Sequence, residues 1–480
     1  MCFLQCASLL LLIVVTAANN KIYFSEGDNQ YWSPESQSFA GNVIERVQMN
    51  NLNVDYEKNV IVKGIAQLSV KINKLLVAQT NDNENVIFSP LSITGILHLI
   101  LMGSSGPTFK EISQLLDLNN EIPDLDERSQ MIHEGFGRML AVINKTAGFQ
   151  PLETIKIATA LFVQQDYPIR AAYKFFAELF YRSSIENVDF RKNSSLAQEY
   201  INKWVSEKTQ GKINTIIDHP LPTETRVVIS NALYFEAEWE RHFFEGTATQ
   251  KYPFYVNGRN SKATIEAYLM GNGGFFPYYK DEELGCTIVG LPYKGNLTTM
   301  YVIMPFESSR DRLFEFQSKI TANDLNNLVS KTNFTDMIIL FPRMKLEDTL
   351  DLDKTLKQLG VTSLFNPHQA NLGVLSAGTN PQNIAPDLTK TSSIDEIRKS
   401  LDNENPGLYA TEIVHKVFMD ITEKGTTAAA STAVYLSKSG GRVTFKVDVP
   451  FMFFIRHDLT ETILFWGSIV APTPNYNIPQ

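Results

Sequence analysis

Apolar residues recur at helical spacing from Ile65 onward, at Leu68, Ile72, Leu75 and Leu76, which predicts an amphipathic helix. Asn81 to Asn85 breaks the pattern, and Val86-Ile87-Phe88 reads as a short strand. Ser89 can cap, and Pro90 can open, an apolar helix running through Met102. Leu196, Tyr200, Ile201, Trp204 and Val205 form one face of a further helix that Gly211 should end. β-Branched and aromatic runs predict strands at Val227 to Phe235, Cys286 to Leu291, Tyr301 to Met304 and Met337 to Phe341. Phe451 to Ile455 and Thr462 to Val470 read as a closing hairpin. Strands and helices do not alternate as βαβ units, so the class is α+β. Residues 19–60 are polar and read as a poorly ordered extension. Residues 377–407, with Pro381, Pro386, Pro406 and several Asn, read as a loop insertion with a short helix at Ile394 to Leu401.

Composition narrows the partners. The 480 residues carry a net charge of −9. An acidic surface argues against nucleic acid, whose phosphates require a basic face. Leu9 to Val15 is an uninterrupted apolar run followed by Thr16-Ala17-Ala18. It is too short to span a bilayer, and small residues follow it as at a signal cleavage site. Residues 1–18 are therefore read as a signal peptide cut after Ala18 or Ala17, and the mature chain as secreted. A buried helix or a membrane anchor is the other reading, because no basic residue precedes Lys21. No later apolar run approaches about 18 residues, so no membrane crossing is expected. Sequons at Asn144, Asn193, Asn296 and Asn333 fit secretion. Asn296 is the clearest, since Lys294-Gly295-Asn296 lies between two strand-like runs. Of the three cysteines, Cys2 and Cys6 belong to the leader. Cys286 alone remains, a buried strand residue or a reactive thiol.

Catalytic chemistry has no positive signal. The seven His are scattered without a close ligand pair, and no metal or cofactor is expected. Gly103-Ser104-Ser105-Gly106 has the wrong spacing for a nucleophile elbow. No phosphate-binding glycine motif occurs. A glycosidase carboxylate pair is a spatial signal, so a secreted hydrolase stays open on sequence alone.

The unusual stretch begins at Glu423. Gly425 is followed by an uncharged, mostly small run, Thr426-Thr427-Ala428-Ala429-Ala430-Ser431 and on to Ser437. The window alone fits an Ala-rich helix or a low-complexity loop. With period two, one face is Thr426, Ala428, Ala430, Thr432, Val434 and Leu436, so the segment could also enter a sheet without burying a charge. In that reading Ala428, Ala430 and Thr432 turn inward, while Ala429 and Ser431 face solvent. Lys438-Ser439-Gly440-Gly441-Arg442 then forms a polar tip open to proteases.

These motifs together resemble the serpins, over about residues 64–474, with the domain taken as 61–474. The resemblance rests on NVIFSPLSI from Asn85, INKWVSEKTQGKI from Ile201, SNALYFEAEW from Ser230, LPYKG from Leu291, His415-Lys416-Val417, the hinge from Glu423, and Pro450-Phe451-Met452-Phe453. It implies three β-sheets, eight or nine helices and an exposed reactive loop at about 423–445. It also implies a monomer that traps a serine protease covalently, by acyl-enzyme formation and strand insertion. By residue match, Ser89, Ser92, Asn231 and His415 fall in the hydrogen-bonded cluster under the sheet opening. Trp239 falls where insertion starts, and Arg343 pairs with Glu423 there. Small residues through Ser431 fit an inhibitory hinge; a non-inhibitory binding or carrier member is the alternative. The common loop length puts the reactive bond at Ser439-Gly440. A one-residue shift seen in some members gives Lys438-Ser439, which suits a trypsin-like protease and is preferred; Arg442 lies too far along. The leader, the lysine and the two additions are similar to arthropod haemolymph serpins that restrain immune or melanisation cascades. No basic helix face is dense enough to imply a polysaccharide activator.

Overall fold

The computed structural model describes residues 54–79, 84–145, 153–244, 248–379, 393–401, 405–426 and 442–473, with the short ladder of Val14–Val15 on Ile22–Tyr23. Thr427 to Ser431, Lys438 and Ser439 lie outside the described residues. The first long helix, α1, spans Val54–Gln79. It starts ahead of Ile65, within the span expected to be irregular, because Val60 and Ile61, both buried, extend its apolar side. Helix α2 is Pro90–Gly103, capped by the Ser89 side chain with Pro90 in its first turn. Nearly every residue of α2 is buried, so it forms the spine of the main core.

Strand β1 is Glu153–Gln164 and β2 is Ser184–Val188. Helix α3, Phe190–Lys208, ends where Gly211 at φ 75° donates its N–H to the Ser206 carbonyl. Strand β3 is Val227–Glu238, β4 Ile265–Asp281, β5 Asn333–Pro342 and β6 Met344–Asp351. Helix α4, Ile394–Ser400, stands within one residue of the helix expected in the insertion. Strand β7 is Ala410–Ile421, β8 the two residues Gly425–Thr426, and β9 Val443–Lys446.

Two large sheets result. One has the order β6-β7-β3-β1-β2, with β8 added on β3. The other runs β9-β5-β4, then Cys286–Pro292, Thr298–Pro305, Phe451–His457, Thr462–Ile469 and Val86–Phe88. Strand β4 is long enough to pair with β5 through residues 269–278 and with Cys286–Pro292 through residues 278–281, so groups expected as separate sheets are continuous here. Twelve α-helices occur among the described residues, more than the eight or nine expected, because several are single turns such as Leu118–Glu121.

Helix α4 ties the insertion to the body. Ile394 and Ile397 are buried, and Arg398 reaches the end of α2. Its guanidinium donates to the carbonyls of Ser104 at 3.0 Å and Leu101 at 3.4 Å. It also donates to Ser129 Oγ and Asp395 Oδ1, and it stacks on Phe109. A cation at the C-terminus of α2 meets both its orphan carbonyls and its dipole.

Candidate functional site

At the centre of the first sheet a parallel junction lies between two antiparallel ones, and the edge pair β1–β2 is parallel too. β3 is antiparallel to β1, and β7 is antiparallel to β6, but β7 and β3 run parallel. A strand placed between β7 and β3 would be antiparallel to both. Parallel pairing is slightly weaker per residue, so exchanging one parallel ladder for two antiparallel ones is favourable. The seam is zipped from Ala410 opposite Val227 to Met419 opposite Phe235.

Beyond Phe235 the two strands part, and the chain after β7 fills the gap. It turns at Thr422 to Gly425, with Thr422 N–H to the Gly425 carbonyl at 2.8 Å and the reverse bond at 3.2 Å. It then heads back along β3, Gly425 opposite Glu238 and Thr426 opposite Ala237. Only glycine fits this point. Its φ is 141°, and a Cβ would strike the Ala237 carbonyl and the Glu238 backbone.

Trp239 pins the turn. Its indole N–H donates to the Thr422 carbonyl at 2.9 Å, and its backbone N–H to the Lys424 carbonyl at 3.0 Å. The ring is buried, stacked on Tyr293 with centroids 4.4 Å apart. Glu423 is buried and accepts from Thr249 Oγ1 at 2.7 Å, with Arg343 Nη1 at 3.5 Å. Thr249 carried no signal in the sequence, and Tyr293 appeared there only as part of the LPYKG motif.

Lower on the seam a polar chain crosses three strands. His415 lies opposite Asn231, and Asn231 opposite Thr159. His415 Nε2 accepts the Ser89 N–H at 3.0 Å, which leaves the proton on Nδ1 to donate to Asn231 Oδ1 at 2.7 Å. Asn231 Nδ2 donates to Thr159 Oγ1 at 2.7 Å. Ser89 Oγ donates to the Leu464 carbonyl and caps α2 through the Ser92 N–H. The Ser92 hydroxyl finds no partner among the described residues. Burial pushes the His415 imidazole down to about 3, so it is neutral at physiological pH. The structure thus gathers Ser89, Asn231 and His415 and brings Trp239, Arg343 and Glu423 together above them. Thr159 was missed; a hydroxyl inside the small apolar run Ile157-Ala158-Thr159-Ala160 was its signal.

Extending the register from Thr426 opposite Ala237 brings position 428 opposite Phe235, 430 opposite Leu233 and 432 opposite Asn231. Those partners on the strand face the main core, Asn231 within the polar chain. Positions 429 and 431 would stand opposite Tyr234 and Ala232, both fully buried in a second apolar cluster with Trp204 and Ile213. In that register α3 and the segment after it cover the side of β3 that positions 429 and 431 would meet, so burial there, and not solvent, is the expectation the mutations below test.

The sequons are spread over the surface. Asn144 is near the end of the helix Gln130–Lys145, and Asn193 sits at a break inside α3. Asn296 is exposed in a turn at φ 54°, and Asn333 is exposed at the start of β5. Cys286 is buried, with burial pushing its thiol up to about 12, as suits a strand residue. No helix among the described residues is long and apolar enough to cross a membrane.

A sheet with a parallel seam and a loop tethered at its mouth defines a class of protein. The model of the family described as Serpin (serine protease inhibitor) matches residues 63–472, and the chain belongs to the serpin family. Serine protease inhibitor 28Dc of Drosophila melanogaster is 32% identical over 434 residues, covering 85% of this chain and 79% of that protein. Serpin48 of the insect Tenebrio molitor superposes with a TM-score of 0.69 at 26% identity, over 88% of this chain and all of that one. Human thyroxine-binding globulin, solved with thyroxine, shares the fold at a TM-score of 0.71 and 22% identity, over 87% of this chain and 100% of that chain. Serpins are protease inhibitors rather than catalysts, and they generally form covalent complexes with serine proteases.

Proposed function

We propose that the chain is a secreted, monomeric inhibitor of trypsin-like serine proteases, cleaved at Lys438-Ser439 and acting by insertion of its loop. The observation that carries this reading is the hinge: Gly425 and Thr426 already pair antiparallel to β3 at the open end of the parallel seam. The uncharged run from Thr426 to Ser437 can follow without burying a charge. The protease attacks the bond after Lys438, whose ammonium suits the acid in a trypsin-type specificity pocket. The acyl-enzyme forms, and strand insertion carries the protease away before water can release it. Distortion of the triad and oxyanion hole then halts deacylation.

Residues 1–18 are the leader in this proposal, and Asn144, Asn193, Asn296 and Asn333 the candidate glycan carriers. An extracellular immune or melanisation cascade is the proposed setting, by the analogy drawn from the leader, Lys438 and the two additions.

Incubation with trypsin should give a complex that survives SDS and is larger by about one protease mass. The fragment released on cleavage should begin at Ser439, and Lys438→Ala should abolish the complex. Cleavage without any complex would move the chain to the non-inhibitory, carrier-like reading. A fragment beginning at Gly440 would move the bond to Ser439-Gly440.

A further inference from the structure

The most exposed large rings of the described residues lie beside the loop. Phe334 on β5 is 70% exposed and Phe275 on β4 is 57% exposed. Phe334 stands opposite Pro277 and Phe275 opposite Asp336, so the two rings are diagonal neighbours on one face of the β4–β5 pair. Phe276, between them in register but on the other face, is buried. Asp336 shares the exposed face and accepts from Arg442 Nε at 2.9 Å. Arg442 is the first described residue after the loop, and it leads into β9, which pairs with β5.

We propose that Phe275 and Phe334 form a docking platform for the protease seated on the loop, with the Arg442–Asp336 pair at its centre. This rests on the reading that a trypsin-like enzyme engages Lys438-Ser439. Four residues of chain reach at most about 14 Å, so that bond stays within this distance of Arg442. A trypsin-fold domain of about 225 residues is about 45 Å across by its radius of gyration. A protease on the bond is therefore large enough to cover the bare rings when the loop leans over β4 and β5. A monomeric surface seldom leaves such rings bare without a partner. A glycan does not fill the role. Strand alternation puts Asn333 on the opposite face, with the inward-facing Met337 and Ile339.

The test compares the double variant Phe275→Ser/Phe334→Ser with Phe275→Leu/Phe334→Leu, which keeps apolar area. Trypsin is the probe for the rate of covalent complex formation. Trypsin with its nucleophilic serine replaced by alanine is the probe for affinity. The serine variant should lose about tenfold in both, the effect of truncating aromatic anchors, and the leucine variant should recover most of it. The ratio of complex to cleaved chain should not change, because insertion follows docking. Unchanged rate and affinity would overturn the platform while leaving the inhibitory reading intact. If the parent chain is cleaved without forming a complex, the inhibitory reading fails, and the affinity measurement alone decides the platform. A faster rate in the serine variant would mean that the chain's own loop covers the rings. A dimer of the parent chain that the variant loses, with unchanged rates, would mean that a second copy does; either result overturns the proposal.

Discussion

His415 shows how much one side chain can hold. Its Nε2 must stay unprotonated to accept the Ser89 N–H, while Nδ1–H ties β7 to Asn231 on β3. The folded value, about 3, lies below the ordinary value of 6.5, so the folded chain binds fewer protons than the unfolded one. The stability this contributes is complete above pH 6.5 and is lost as pH falls toward 3. At pH 5 the loss is about 2 kcal/mol, from 1.36 kcal/mol per unit over about 1.5 units. His98, pushed to about 3, and His457, pushed to about 4, add the same sign through burial. Melting temperature should therefore fall between pH 7.5 and pH 5, and His415→Asn should make the slope shallower without flattening it. Equal slopes in parent and variant would show that the seam does not sense this proton.

Single elements carry the switch and its control. Thr426→Arg should convert inhibitor to substrate, since position 426 enters opposite the core-facing Ala237 and a buried charge there costs several kcal/mol. Ala429→Lys should do the same, because its partner in register, Tyr234, is buried on the other side. Thr427→Lys should be tolerated, because Glu236 opposite it is only half-buried and acidic. Complex and cleaved chain, read together on one gel, check all three. Helix α4 offers a separate test. Arg398→Met strips the donor from several carbonyls and leaves Asp395 without its cation, at a cost of about 3 kcal/mol. Melting should drop by several degrees, and Arg398→Lys should recover only part, since an ammonium cannot reproduce the planar fork.

At the scale of the whole molecule, the proposed insertion makes the intact fold the less paired of two arrangements. Cleavage in the loop should let residues from Gly425 to Leu436 complete the seam. About ten ladder bonds at about 1 kcal/mol net each would outweigh the chain entropy freed by the cut. The cleaved chain should then melt tens of degrees higher than the intact one, and coincident melting would exclude insertion. Much of this architecture was legible beforehand. Six strands of the second sheet, the Ser89-Pro90 helix start and the Ile394 helix had local periodicity or capping chemistry to mark them, whereas Ile265–Asp281, Gln250–Phe254 and Val443–Lys446 went unread. The first turns of α1 did not, because Asp55, Glu57, Lys58 and Asn59 mask the sparse apolar face there. Nor could sequence show which sides of the inserted strand are covered. That depends on where α3 comes to rest, a contact between segments far apart in the chain. Thr249 and Thr159 were hidden for the same reason: a lone hydroxyl acquires meaning only from the strand that arrives opposite it.

The end of α2 has one last implication. The carbonyls of Leu101 and Ser104 are met by an arginine that belongs to the insertion. Trimming the chain back to an ordinary loop would therefore not yield a plainer version of the same protein. It would take the charged donor from the Ser104 carbonyl and leave the Leu101 carbonyl to Ser104 alone, so a shortened chain would need a second, repairing substitution near Phe109. The added segment has become part of how that helix ends.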